Sequence, residues 1–427
     1  MNDNLPTSDL NDFEKQINEV IDLDVHSDKP TPKRLSETGL NKIEVKPVVS
    51  QQPVAQQNLV KVKKNIVLCF ISDATGCGFI RCFQPFSYLN FVFGKTQTLM
   101  PIISCAFLQD ENILLRSRTI YFQRQMAPEH LNMVRWYKDR QQNFKYKMIW
   151  EMDDHIWWED KQKTINGVPS YNFGANGITE AVKRSSIEIM NCMDLLIVTT
   201  QFLADYIKNE LGVNVPVKIV PNHVAKYFWK GESKKQITER IVKPKILYTG
   251  SPTHYNNEKK MYGDWENSAW REFIIKNVKA DKISFTCLGG LPWFLEEIKD
   301  KIKVIGWLNS FQYHLGVLGE KAHFGLMPLV PNNFNMGKSN LKHLEHSAAG
   351  IVSIGTYFPE KQYKGPYENV PIKLKWDCSL SDIQKTFDHI CDPIVYNEII
   401  ERQFRELDEN GSWLESKIWI DRFLSIL

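Results

Sequence analysis

The stretch HFGLMPLVPNNFNMGKSNLKHLEHSAAGIVSIGT, His323 to Thr356, carries the pattern that decides the fold. HFGLMPL is a continuous apolar run of the kind shown by a strand buried on both faces, and IVSIGT is another. Between them KSNLKHLEHSAA has helical spacing and stops at Gly350. Strand, helix, strand in this order is the unit of a parallel α/β sheet. Gly337 and Ser339 stand where the chain enters the helix. A helix start offers free N–H groups and positive potential to an anion. Lys338 and Lys342 are four apart and share a helix face, with Glu345 three residues further on. On spacing alone two readings stand. One is a capped surface helix with a Lys342–Glu345 pair. The other is the wall of a nucleotide-sugar pocket, with lysines for the diphosphate, a carboxylate for the ribose hydroxyls, and Ala348, Ala349 and Gly350 allowing close packing on the sheet.

The same unit recurs on both sides. NIVLCFIS, from Asn65, is a buried strand followed by the glycine turn ATGCG, and a helix carrying Arg81 begins there. TIYFQRQ, KMIWEMDD, MDLLIVTT and VPVKIVPNHV read as further strands, with helices at EHLNMVRWYKDRQQN and QFLADYIKNELG. The polar, basic stretch WKGESKKQITERIVKPK reads as an interdomain connection. Strands resume at KILYTGS, KISFTCLGG and KIKVIGW, with a helix at SAWREFIIKNV. Three C-terminal segments, SDIQKTFDHI, DPIVYNEIIERQFRELDEN and SWLESKIWIDRFLSIL, have helical periodicity. The expected architecture is α/β: a polar tail over 1–62, a Rossmann-like domain over 63–235, a second over 236–405, and a helix over 406–427 crossing back to the first. Ligands of such sheets bind beyond the carboxyl ends of the strands, so the cleft between the domains is the expected site.

Composition bounds the function. With 427 residues, 43% of them apolar, the chain can build two or three cores at roughly 150 residues per domain. A net charge of +3 excludes a uniformly basic nucleic-acid binder. The eight cysteines form no CxxC pair, which argues against a zinc site, and several sit in apolar runs, as expected in a reducing compartment. The acidic start MNDNLPTSDLNDFEKQ is not a secretory signal, and no apolar run reaches about 18 residues; the expectation is a cytoplasmic protein without a membrane span. Residues 1–62 contain one aromatic, Phe13, too little to offset chain entropy. Within them DFEKQINEVIDLDV reads either as a short helix docking on a partner protein or as solvated tail.

GKSNLKHLEHSAAGIVSIGT resembles the donor-binding helix of retaining glycosyltransferases of the GT-B fold, in the large group called family 4. VTTQFLADYIKNELGVNVPVKIVPNHV, ILYTGSPTH and MIWEMDDHIW resemble that family's other landmarks in the same order. The resemblance spans about residues 65 to 425 and implies a nucleotide-sugar co-substrate, a UDP-sugar above all, with no bound cofactor and no metal. It implies Glu345 on the ribose, Lys338, Ser339 and Lys342 beside the diphosphate, Gly76, Cys77 and Gly78 as the turn against the sugar, and Gly250 with Ser251 opening the second domain. Many relatives carry Arg directly after that glycine; here Ser251 stands, and the first glutamate of the family's pair is replaced by Met336 or Gly337. Retention there is explained by front-face attack, in which the leaving diphosphate takes the acceptor proton.

Three residues are candidates for catalysis: Asp153, Asp154 and His254. The two carboxylates end a strand at the presumed cleft and suit an acceptor hydroxyl or a base; adjacent acids also suit Mg²⁺, but no flanking DxD is present. Successive strand residues face opposite ways, so one of the two points into the cleft. His254 can donate to a phosphate or, protonated, stabilise the leaving group. Arg81 and His155 are candidates for the acceptor side. The stretch RWYKDRQQNFKYK, 135–147, mixes basic and aromatic residues and reads as a nucleic-acid surface or as a solvated helix with buried aromatics. A polar tail before a compact enzyme is similar to glycosyltransferases of large bacteriophages, some of which put glucose or arabinose on hydroxymethylated pyrimidines. That likeness implies double-stranded DNA as acceptor. A surface polysaccharide or protein acceptor, and a non-catalytic binding protein on the same scaffold, are the competing readings.

Overall fold

The chain divides into two units, Met1–Lys64 and Asn65–Leu427. The computed structural model describes residues 63–73, 76–157, 179–229, 236–250 and 254–427. The expected tail and Ser251 lie outside the described residues.

The second unit contains two six-stranded sheets, parallel throughout. The first has the order β2-β1-β3-β4-β5-β6. Its strands are β1 Ile66–Phe70, β2 Met100–Ser104, β3 Ser117–Gln123, β4 Lys147–Met152, β5 Leu195–Val198 and β6 Val217–Ile219. The second has the order β12-β11-β10-β7-β8-β9. It is built from β7 Lys245–Thr249, β8 Ser284–Leu288, β9 Lys303–Ile305, β10 Phe324–Met327, β11 Val352–Tyr357 and β12 Ile372–Lys375. Both are doubly wound, and strand order reverses between β1 and β3 in one and between β7 and β10 in the other. The crevice outside the carboxyl ends of those strands is where such sheets take ligands.

The central strands are the continuous apolar runs. All five residues of β1 are buried, as are the four of β5 and of β10. Two edge strands escaped the sequence reading for a physical reason. β2 is half-buried along its length and contains Pro101, and β12 alternates half-buried with exposed positions and carries two lysines. Neither makes the unbroken apolar run that marks a central strand. Helices Glu180–Asn191 and Ser310–Gly319 were also not expected.

The boundary expected at 405/406 falls inside helix Pro393–Glu409, which runs unbroken on the second domain. The chain returns to the first sheet after Asn410. Helix Lys417–Leu424 stacks Phe423 edge-on against Phe86 at 5.4 Å. Thr119 of β3 donates to the backbone oxygen of Leu427 at 2.6 Å, and Lys147 to that of Ile426 at 2.7 Å. Among the described residues no helix is long and apolar enough to cross a membrane.

Candidate active site

A cavity of about 260 Å³ opens between the carboxyl ends of the two sheets. One side is the turn Gly76–Cys77 with Phe79, Ile80 and Asp153; the other is Gly250, His254, Leu288–Gly289, Trp307, Tyr313, Lys342 and Glu345.

On the second-domain side, helix Leu341–Ala348 aims Glu345 inward. Its carboxylate is buried and accepts from the Tyr313 hydroxyl at 3.0 Å. Burial raises its pKa to about 7, against the pull of Tyr313 and Lys342. The two lysines converge, though not in the way helical spacing predicts. Lys338 lies outside the helix, with extended backbone that ends the preceding helix Asn333–Gly337. Both side chains reach His254: Lys338 Nζ lies 3.3 Å from Nδ1 and Lys342 Nζ 3.4 Å from Nε2. Burial and the neighbouring Lys338 lower Lys342 to about 8.

Behind His254 sits a group that the sequence reading missed. Asp264, 2% exposed, faces Nδ1 of His254 with Oδ2 at 2.5 Å, accepts from Asn335 Nδ2 on Oδ1 at 2.8 Å, and lies 3.6 Å from Lys338 Nζ. Burial works against its charge, but Lys338 and the hydrogen bonds from His254 and Asn335 hold Asp264 below the usual carboxylate range. His254 is pushed down to about 3 by burial and by the two lysines, which outweigh Asp264. It is therefore a neutral ring. Because a carboxylate accepts only, the ring proton is on Nδ1.

The glycine turns follow from close approach. A Cβ on Gly250 would stand 2.2 Å from the Tyr248 hydroxyl, and one on Gly78 would stand 1.8 Å from the backbone oxygen of Asp73. Gly76 has φ +37° and donates its N–H to Ser310 Oγ at 3.1 Å, so this turn touches the second domain directly. After it the helix passes through a π-helical segment, Phe79–Phe83. Such segments recur at functional sites.

The first-domain acids are already neutralised. Arg124, directly after β3 and with φ +56°, sends Nε to Asp153 Oδ1 at 2.6 Å and Nη2 to Asp154 Oδ2. Despite its burial, Asp153 is held below the usual carboxylate range by Arg124 and by a hydrogen bond from Cys77; burial and Asp153 push Asp154 up. Cys77, Asp153 and Asp154 bring ligand-type atoms within 4.8 Å of one another. The Arg124 guanidinium supplies the cation that a metal would. Asp153 lines the cavity, whereas Asp154 does not. The register explains Arg124: Gln123 pairs with Glu151, which sets the residue after β3 beside the Asp-Asp pair that follows β4.

Both acceptor-side candidates are elsewhere. Arg81 is 3% exposed, bound through Nε to Glu151 at 2.6 Å and through Nη1 to Asn222 Oδ1 at 2.9 Å. It is a buried brace, because its side chain points to Glu151 of β4 while its neighbours Phe79 and Ile80 line the cleft. His155 is buried in an aromatic nest, its ring centroid 4.1 Å from that of Tyr206 and 5.4 Å from that of Phe202, and burial lowers it to about 3. Ser339 accepts from Asn222 Nδ2 at 2.6 Å and so joins the two domains.

The basic-aromatic stretch forms helix Pro128–Phe144. Arg135 pairs with Glu188, Lys138 lies 3.8 Å from Asp194, and Arg140 lies 4.0 Å over the Trp136 ring and 3.4 Å from Glu111, while Tyr137 is buried. Each of these cations faces an acid, the arrangement of a solvated helix.

No protein-family model matches the chain, and no curated protein matches it in sequence. Solved structures do. Sucrose-phosphate synthase from Thermosynechococcus elongatus superposes with a TM-score of 0.52 at 11% identity, covering 85% of this chain and 97% of that one. HepE of Anabaena, solved with UDP and glucose, gives 0.52 at 9% identity, covering 85% and 100%. The fold is GT-B. In GT-B terms the cavity described above is the interdomain cleft, with His254 and Lys342 on its second-domain wall and Lys338 beside His254.

Proposed function

We propose that this GT-B protein is a retaining glycosyltransferase that moves a sugar from a nucleoside-diphosphate donor, a UDP-sugar, to an acceptor hydroxyl. One observation carries the reading: Glu345, Lys342 and His254 share one wall of a single cavity, facing the Gly76–Cys77 turn, with Lys338 3.3 Å from Nδ1 of His254. Glu345, backed by Tyr313, takes the two ribose hydroxyls. Lys338, Lys342 and His254 take the diphosphate, filling the role of the arginine that Ser251 replaces. The sugar lies toward Gly76 and Cys77. HepE, solved with UDP and glucose, supports a uridine donor.

Arg124 leaves neither Asp153 nor Asp154 free to act as a base, which favours front-face attack. The acceptor oxygen bonds to the anomeric carbon as the bond from that carbon to the phosphate oxygen breaks, and the acceptor proton passes to the departing diphosphate. Stabilising that diphosphate by preorganised cations is then the main contribution of the protein.

For the acceptor, a glycan or protein hydroxyl is favoured over hydroxymethylated DNA, because the basic groups of helix Pro128–Phe144 are paired. A ligand-induced rise in melting temperature identifies the donor class. Transfer from UDP-glucose and UDP-arabinose to glycan, protein and hydroxymethylated DNA acceptors then separates glucosyl from arabinosyl transfer and one acceptor class from another. Failure of every nucleoside diphosphate to bind would sink the reading.

A further inference from the structure

The geometry around His254 carries one step more. The ring lies between two lysines and in front of a buried carboxylate, with Nδ1 2.5 Å from Asp264 Oδ2 and Nε2 facing Lys342 Nζ at 3.4 Å in the cavity wall. A carboxylate at that distance requires a proton on Nδ1. A neutral ring therefore keeps a lone pair on Nε2, which Lys342 Nζ faces at the cavity wall. An anionic oxygen that draws Lys342 Nζ to itself in the cavity meets that lone pair and is repelled by it. Two changes remove the conflict. The ring can move its proton to Nε2, but this turns the Nδ1 lone pair onto the Asp264 carboxylate. Or the ring can gain a second proton and donate on both sides. Asp264 forbids the first and stabilises the second.

We propose that this site takes up a proton together with an anionic diphosphate, that the proton goes to Nε2 of His254, and that Asp264 is the positioning residue that makes this the only route. The inference rests on the nucleotide-sugar reading. The charged groups around the ring agree with it. Among the described residues, Lys338 and Lys342 face His254 and Asp264 opposes them; Asp154 reaches the cluster through Lys338, and Glu345 through Lys342. Without an anion, burial and the two lysines keep the ring neutral. A diphosphate offsets the lysines' charge and leaves the pull of Asp264 to act against burial alone. The imidazolium so formed is a third cation on the leaving group, present only when the donor is bound.

The test uses the full chain, labelled with ¹⁵N-histidine, near neutral pH in a phosphate-free chloride buffer. Long-range ¹H–¹⁵N correlation distinguishes the two neutral tautomers from imidazolium, and His254→Gln assigns the signal. The expected result is a neutral ring protonated on Nδ1 in the free protein and imidazolium at saturating UDP. In Asp264→Asn the amide donates to Nδ1, so the UDP complex should hold a neutral ring protonated on Nε2. A merely structural Asp264 would not invert the tautomer. Calorimetry of UDP binding in buffers of differing ionisation enthalpy should show proton uptake that His254→Gln abolishes. If UDP binds to wild type while His254 stays neutral, or if the ring is already charged in the free protein, this inference falls and the donor reading stands. If calorimetry detects no binding of UDP, GDP or pyrophosphate, both fall.

Discussion

Asn222 joins the two halves of the protein to one another through a single side chain: its Oδ1 accepts from Arg81 Nη1 at 2.9 Å, and its Nδ2 donates to Ser339 Oγ at 2.6 Å. Arg81 is in turn fixed by Glu151 at 2.6 Å. The chain Glu151–Arg81–Asn222–Ser339 thus runs from the core of the first sheet to the loop that carries Lys338. Ser339→Ala removes one neutral bond and should cost about 1 kcal/mol. Asn222→Leu also takes the acceptor from one N–H of Arg81 Nη1, which keeps the Pro221 carbonyl at 3.2 Å; bonds to charged groups are worth about 1.5–3 kcal/mol, so it should cost roughly 3 kcal/mol in total. Urea unfolding of the two variants measures the difference; equal costs would mean that the Arg81 bond contributes nothing.

Arg124 should matter for stability as much as for the site. Replacing it with Leu leaves Asp153 and Asp154 adjacent and without their cation. Removing one partner of a buried ion pair costs about 3–5 kcal/mol. In wild type the Asp153 pKa lies below its unfolded value of 3.8, so its contribution is present above that pH and is lost as pH falls through the folded value. In Arg124→Leu the sign reverses. The folded carboxylate pair is raised, and stability falls as pH rises. The variant should therefore be least stable at mildly alkaline pH and recover on acidification, and Asp154→Asn in the same chain should restore part of the loss. Urea midpoints across pH decide it; a loss independent of pH would refute the pairing account.

These two residue groups also mark how much of the molecule was legible beforehand. The central parallel strands were readable because burial on both faces forces unbroken apolar runs. Glu345 and Lys342 were readable because one short helix carries both. Lys338 meets Lys342 at His254 without sharing a helix face with it, since the helix begins only at Leu341. Arg124, Asp264 and Tyr313 were not read. Each reaches the site by tertiary geometry: a left-handed residue at a strand end, a carboxylate after the φ +64° turn at Gly263, and a hydroxyl from a helix with weak amphipathic spacing. Arg81 and His155 misled because a polar side chain near a strand end looks alike whether it faces the cleft or braces the core.

Glu345 gives a pH signature in both stability and binding. Its folded pKa of about 7 lies above the ordinary 4.5, so its carboxylate is destabilising in the fold. Stability is intact below about 4.5 and is lost progressively as pH rises through 7. Glu345→Gln should remove that loss and gain on the order of 3 kcal/mol at alkaline pH, with little change in acid. Ribose binding needs the ionised form. The ratio of UDP affinity to pyrophosphate affinity should therefore rise with pH through about 7 in wild type and stay flat in Glu345→Gln. Calorimetric titration with both ligands supplies the ratio, and a ratio independent of pH in wild type would exclude Glu345 from the ribose.

The last prediction concerns Gly337, whose backbone oxygen accepts from Thr200 Oγ1 at 3.2 Å across the domain seam. A Cβ there would meet His155 Cβ at 2.8 Å, Phe202 Cδ1 at 3.3 Å and Leu203 Cδ2 at 3.4 Å, all on the first domain. His155 cannot yield, because its ring is wedged against Tyr206 and Phe202. Gly337→Ala should therefore act as a spacer between the halves and cost about 1–3 kcal/mol by overpacking. It should also weaken UDP binding, because the next residue, Lys338, is carried away from His254. His155→Ala keeps the struck Cβ but removes the ring that wedges it in place, so the double variant should recover UDP affinity relative to Gly337→Ala alone. Melting temperature and UDP affinity, measured together on the three variants, check both effects. If Gly337→Ala binds UDP like wild type, the seam at Gly337 does not set the position of the lysine.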